Sequence, residues 1–119
     1  MNNPIGTHIM GDLKKCDPDY LFSLNMEEIK KKVSEIVKKN NLTELGSYYH
    51  LFNNNSFTGI VALSESHISM HTWPELKIVN IDVYTCNYNN DNTQSTRNVF
   101  NEIAALFQPG EIKRNEVRR

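Results

Sequence analysis

At 119 residues, 39% of them hydrophobic, the chain is sized for a single domain, residues 1–119, with a modest core. The formal net charge is -1, and Glu111 and Glu116 interrupt the C-terminal Lys113, Arg114, Arg118 and Arg119, so no basic face exists for nucleic acid. No apolar run approaches the roughly 20 residues of a membrane span, no charged-then-apolar leader opens the chain, and Cys16 and Cys86 are expected as free thiols of a cytoplasmic protein.

Gly6 to Lys15 reads as a first strand in which Thr7, Ile9 and Leu13 alternate, with a bulge or early end expected at Gly11 and Asp12. Asp17-Pro18-Asp19 is a turn signal. Asn25 caps a helix, with Glu28 three residues on as in a capping box. Met26, Ile29, Val33, Ile36 and Val37 follow at helical spacing, while the lysines between them form a solvated face. Lys38 and Lys39 suit the negative end of the helix dipole, and Asn40-Asn41 stops the helix.

Gly46 to Phe52 reads as a second strand, with Tyr48, His50 and Phe52 on one face and Tyr49 and Leu51 on the other. Asn53-Asn54-Asn55-Ser56 is a loop. Phe57 to Leu63 is a third strand whose apolar run predicts a central position covered on both faces. His67 to Trp73 and Ile78 to Cys86 are the fourth and fifth. Asn87 to Asn92 is a polar loop without packing content. Ser95 or Thr96 caps a second helix, striped by Val99, Phe100, Ile103, Leu106 and Phe107 and ended by Pro109-Gly110. Glu111 to Arg119 is either a short edge strand or a loose tail.

Consecutive strands on short loops predict an α+β fold: a two-layer sandwich, an antiparallel β-sheet with two helices on one face. The other face then carries His67, Ser69, His71 and Trp73 beside Asn80, Asp82, Tyr84 and Cys86. It is too polar for a core and too aromatic for a plain surface. A reaction site, a subunit interface or both are expected there.

The stretch Leu63-Ser64-Glu65-Ser66-His67-Ile68-Ser69-Met70-His71-Thr72-Trp73-Pro74-Glu75 concentrates nucleophiles and bases. Three chemistries compete for it. A metal at His67 and His71 fails on spacing, because strand residues four apart are separated by roughly 13 Å at 3.3 Å per residue; no metal is expected. A hydrolase would use Ser64, Ser66 or Cys86 as nucleophile with His71 as base, but the glycine-flanked nucleophile elbow is absent. The third is self-processing. The Ser66 hydroxyl attacks the Glu65 carbonyl, an ester forms, and β-elimination then hydrolysis leaves a pyruvoyl group at a new N-terminus. Such a ketone forms a Schiff base with an amino acid and acts as an electron sink. Residue types alone do not rank this third reading above the others.

That stretch, followed by Ile81-Asp82-Val83-Tyr84-Thr85-Cys86, resembles the signature of the small prokaryotic-type S-adenosylmethionine decarboxylases, proenzymes that carry a pyruvoyl group. The resemblance runs in outline from Gly6-Thr7-His8 to the second helix. It implies cleavage between Glu65 and Ser66, with Ser66 becoming the pyruvoyl cofactor. It implies that His71 assists elimination, that Thr58 supplies a hydroxyl where relatives have serine, and that Cys86 donates the proton after decarboxylation. Phe52 and Trp73 fall where aromatic residues line the adenosyl pocket, and Glu75 where a carboxylate takes ribose hydroxyls. The implied partners are the small-molecule substrate S-adenosylmethionine and a second cleaved protomer in a homodimer, and the implied product feeds polyamine (spermidine) biosynthesis.

His67 reads as structural, and His8 and His50 carry no assigned role. Leu76-Lys77-Ile78-Val79-Asn80, Asn87 and Asn53-Asn54-Asn55-Ser56-Phe57 depart from the usual pattern. These departures leave arginine or ornithine open as substrates, with Asp82 the candidate partner for a distal cation. A non-cleaving regulatory subunit is a further alternative, opposed by the intact Glu65, Ser66, His71 and Cys86.

Overall fold

The computed structural model describes residues 5–88 and 90–119. The extreme N-terminus, on which the leader reading partly rests, and Asn89 in the Asn87–Asn92 loop lie outside them. In chain order the elements are β1 (Gly6–Lys14), α1 (Pro18–Ser23), α2 (Met26–Lys39), β2 (Glu44–Leu51), β3 (Phe57–Leu63), β4 (Ser66–Trp73), a 3₁₀ turn (Pro74–Leu76), β5 (Ile78–Cys86), α3 (Thr93–Leu106) and β6 (Glu111–Arg118). The six strands form one sheet in the order β2-β3-β4-β5-β1-β6, every neighbouring pair antiparallel. This is the expected α+β sandwich, with one short helix more than the sequence announced.

Period-2 alternation fixes which face is buried, since a slip of one residue would turn every side chain over. Ile9 and Leu13 of β1, Phe57, Val61 and Leu63 of β3, Ile68 and Met70 of β4, and Val79, Ile81 and Val83 of β5 all point to one side. There they meet Ile29, Val33 and Val37 of α2, and Val99, Phe100 and Ile103 of α3. Asn25 caps α2 as expected, its side chain accepting from the Glu28 N–H at 3.1 Å.

Several expectations are corrected. Asp17-Pro18-Asp19 starts a helix rather than a turn: the Asp17 carboxylate accepts from the Asp19 N–H at 2.9 Å, and Pro18 sits in the first turn, where a missing N–H costs nothing. β1 has no bulge at Gly11, and its register with both neighbours is unbroken from Thr7 to Leu13. The glycine serves packing instead, because a Cβ there would lie 2.3 Å from the Phe100 ring. β3 is not covered on both faces; α2 and α3 share one side, and Ile60 stays 51% exposed on the other. β2 runs from Glu44, with an irregularity between Glu44 and Gly46, and Phe52 has left the strand.

α3 is capped at Asn92, three or four residues earlier than expected. The Asp91 carboxylate accepts from the Thr93 N–H at 3.0 Å, and Thr96 sits inside the helix with its hydroxyl on the Asn92 carbonyl. The preceding loop does have structural content, since Asn92 donates to the Cys86 carbonyl at 2.9 Å. Glu111–Arg118 forms the edge strand, paired along β1. Cys16 and Cys86 are both free. Burial pushes the Cys16 thiol up, whereas Cys86 is only half-buried.

Candidate active site

Among the described residues no helix covers the second face of the sheet. His67, Ser69, His71 and Trp73 of β4 stand on it, next to Asn80, Asp82, Tyr84 and Cys86 of β5, while the alternate residues of both strands are buried. The candidate residues gather at its two ends.

At the first end the chain turns from β3 into β4 through Ser64 and Glu65. Ser64 N–H donates to the Thr43 carbonyl at 2.9 Å, and the Glu65 carboxylate accepts from the Thr43 N–H at 3.1 Å, so the turn is pinned. Ser66 pairs with Thr85, which brings the end of β5 alongside. The Glu65 carbonyl oxygen accepts a hydrogen bond from the Cys86 N–H at 2.9 Å. That carbonyl belongs to the Glu65–Ser66 peptide bond. A fixed N–H on it is an oxyanion donor in waiting, because charge would develop on this oxygen under attack by a hydroxyl. The Ser66 hydroxyl is adjacent and lies 3.2 Å from Nδ1 of His67.

At the second end Thr58 and His71 face each other across β3 and β4, and the Thr58 hydroxyl is hydrogen-bonded to Nδ1 of His71. The His71 ring centroid is 4.2 Å from that of Trp73 and 6.1 Å from that of Phe52. A cavity of about 430 Å³ opens here, lined by Phe52, Asn53, Asn54, Ser56, His71, Trp73 and Glu75. This volume falls in the range of small-molecule pockets.

Polar contacts hold the pocket walls. The Trp73 indole N–H donates to Asn80 Oδ1 at 2.7 Å, and Asn80 donates on to Asp12 at 2.8 Å. The Phe52 loop is closed by its N–H on the Ser56 carbonyl at 2.8 Å. The side-chain amide of Asn55 anchors that loop to the Phe22 and Leu24 carbonyls. Asn80 and Asn55 both belong to stretches that depart from the usual pattern, and sequence reasoning assigned neither a role.

Glu65, Ser66 and Cys86 are therefore brought together, and so are Phe52, Thr58, His71, Trp73 and Glu75. The two sets are not brought to each other. Ser66 and His71 are about five residues apart on one strand, or about 16 Å. Between them, Asp82 accepts from the Ser69 hydroxyl at 3.3 Å and lies 3.6 Å from Nε2 of His8. His8 packs edge-on against both His67 and Tyr84. His67, expected to be structural, thus contacts the candidate nucleophile. Strand alternation hid the contact by sending neighbours to opposite faces. The only sequence signal was adjacency to Ser66 at a strand start.

Comparisons with known proteins bear on the family and on the fold. The family model for S-adenosylmethionine decarboxylase matches residues 7–119. The S-adenosylmethionine decarboxylase proenzyme of Aquifex aeolicus is 43% identical over 86 residues, which is 72% of this chain and 62% of that one, so the match spans less than two thirds of that relative. The proenzyme of Archaeoglobus fulgidus is 36% identical over 105 residues, 88% of each chain. The crystal structure of the adenosylmethionine decarboxylase from Aquifex aeolicus has the same fold, with a TM-score of 0.83 at 33% identity over 98% of this chain and 92% of that one. The chain belongs to the S-adenosylmethionine decarboxylase family.

Proposed function

We propose that the chain is the proenzyme of a pyruvoyl-dependent decarboxylase acting on S-adenosylmethionine, in the cytoplasm, to make the aminopropyl donor for polyamine synthesis. It cuts itself between Glu65 and Ser66. The observation that carries this reading is the Glu65 carbonyl held on the Cys86 N–H with the Ser66 hydroxyl beside it. A hydroxyl next to its own preceding carbonyl, and a hydrogen-bond donor already on that oxygen, fit the making of a pyruvoyl group at residue 66. Once formed, that group supplies the electron sink for decarboxylation.

The rest of the site follows from what each side chain can do. The half-buried Cys86 thiol lies at the same strand end and gives a proton to the substrate carbon after carbon dioxide leaves. Phe52 and Trp73, 42% and 38% exposed, offer flat faces to a purine and to the sulfonium cation. Glu75 takes the ribose hydroxyls. Asp82 is engaged with Ser69 and lies outside the cavity lining, which favours the nucleoside substrate over arginine or ornithine.

A complete site needs two copies of the chain. The Ser66 end and the His71 end of one sheet face are too far apart to act together. A two-fold pairing of uncovered faces sets the Ser66 end of one copy against the His71 end of the other, twice. The exposed Tyr48, Ile60 and Trp73 on that face supply apolar contact area for the pairing.

Denaturing mass spectrometry tests the processing step. Wild-type protein is expected as fragments 1–65 and 66–119, the second blocked at its N-terminus by a keto group that reacts with hydroxylamine, and Ser66→Ala as one intact chain. A wild-type chain that stays whole through long incubation at neutral pH refutes the enzyme reading.

A further inference from the structure

We infer that His67 is the general base of the first processing step, a role that rests on the self-cleavage reading above. Three observations meet at this point. Nδ1 of His67 is 3.2 Å from the Ser66 hydroxyl oxygen, within hydrogen-bond reach. The carbonyl that this hydroxyl must attack is already polarised by the Cys86 N–H at 2.9 Å. His71, the other histidine of the stretch, is about 16 Å away along the same strand and has its own Nδ1 occupied by Thr58. Among the described residues, His67 is the histidine whose ring nitrogen lies within hydrogen-bond reach of the nucleophile.

The ring is exposed, but two aromatic neighbours flank it on the side of the sheet. It packs against Tyr84 at 5.9 Å and edge-on to His8 at 6.4 Å, centroid to centroid. With its proton on Nε2, the imidazole presents a lone pair at Nδ1 to the Ser66 hydroxyl. Nδ1 takes that proton as Oγ bonds to the Glu65 carbonyl carbon, and the carbonyl electron pair moves onto the oxygen held by the Cys86 N–H. When the oxyanion collapses, the carbon–nitrogen bond breaks. The Nδ1 proton then passes to the departing Ser66 nitrogen, leaving an ester and a free amine. No proton or electron enters from outside. The step is complete within one copy, whereas the later elimination needs His71 of the second copy.

The test isolates the ester. In a His71→Ala background, where elimination is blocked and the ester persists, hydroxylamine cleaves the chain at Glu65 at a rate set by ester formation. Adding His67→Ala is expected to slow that cleavage about 10²-fold, and imidazole in the buffer is expected to restore most of it, since a missing base can be supplied from solution while a missing contact cannot. His67→Gln, which keeps a hydrogen-bonding group without a basic nitrogen, is expected to be as slow, and it stands in should the alanine variant not fold. Ester formation at an undiminished rate in both variants overturns the inference, as does a loss in His67→Ala that imidazole leaves unchanged. If the chain with His67 intact forms no ester at all, while Ser66→Ala behaves identically, self-cleavage itself fails and takes this step with it.

Discussion

The division of the site into two ends makes complementation between two defective chains the most discriminating experiment. One chain carries Ser66→Ala and keeps His71; the other carries His71→Ala and keeps Ser66. Each alone is expected to stay uncut. If a site pairs Ser66 of one copy with His71 of the other, random mixing makes half of all dimers heterodimeric, and each of these holds one intact site and one doubly defective site. About half of the Ser66-bearing chains should then be cut, and site density should reach about a quarter of wild type. A site assembled within one chain gives zero on both measures. The structure favours the first outcome because about 16 Å of strand separates the two residues, and β4 is held on both sides by hydrogen-bonded neighbours that prevent it from folding back. Co-expression of the two tagged chains, followed by denaturing gel densitometry and a carbon dioxide release assay, reads both numbers. Absence of any cut product from a verified heterodimer refutes the pairing.

Cys86→Ala should fold and still cleave itself, because the donor to the Glu65 carbonyl is backbone, while turnover falls about 10²-fold or more with the lost acid; unchanged turnover removes the thiol from the site. Phe52→Ala should raise KM for S-adenosylmethionine roughly fivefold, in line with about 1 kcal/mol for a lost aromatic contact, with kcat little changed. In parallel assays, carbon dioxide release from arginine or ornithine but not from S-adenosylmethionine would overturn the substrate. Hydrogen bonds from Arg97 hold the Glu116 carboxyl below its ordinary value and tie β6 to α3. A depressed carboxylate stabilises the fold above its unfolded value and loses that contribution as pH falls through the folded one. The Tm should therefore drop below about pH 4.5, and Glu116→Gln should flatten that acid slope.

Much of the architecture was legible because alternation is a strong signal in strands buried on one face. Ile68, Met70 and Thr72 against His67, Ser69, His71 and Trp73 allow only one orientation of β4. β3 misled because Ile60 and Ala62 are apolar on the uncovered side, so local composition imitated burial on two faces. α1 was missed because Asp-Pro-Asp opens turns and helices alike; burial of Leu21 in the core and the Tyr20 hydroxyl on the Leu106 carbonyl add tertiary contacts that the local sequence does not show. Of the residues lining the pocket, Phe52, His71, Trp73 and Glu75 were singled out through the family resemblance, whereas Asn53, Asn54 and Ser56 were read only as a loop. The separation within the motif follows from the rise per residue alone: the 3.3 Å step that keeps His67 and His71 from sharing a metal also keeps Ser66 from His71. The Asn80 and Asn55 clasps were not legible, since both reach partners distant in sequence.

The strand order has a consequence for the proposed cut. Cleavage after Glu65 would assign β1, β2 and β3 to one fragment and β4, β5 and β6 to the other. In the sheet these do not lie side by side as two blocks. They run first, first, second, second, first, second, so β1 is threaded between two strands of the other fragment. Three seams join the fragments, β3 to β4, β5 to β1, and β1 to β6. Peeling the pieces apart would mean unzipping all of them at once. The chain can thus lose a peptide bond at its reactive corner and remain a single woven body, with the new freedom confined to the two loose ends at the break.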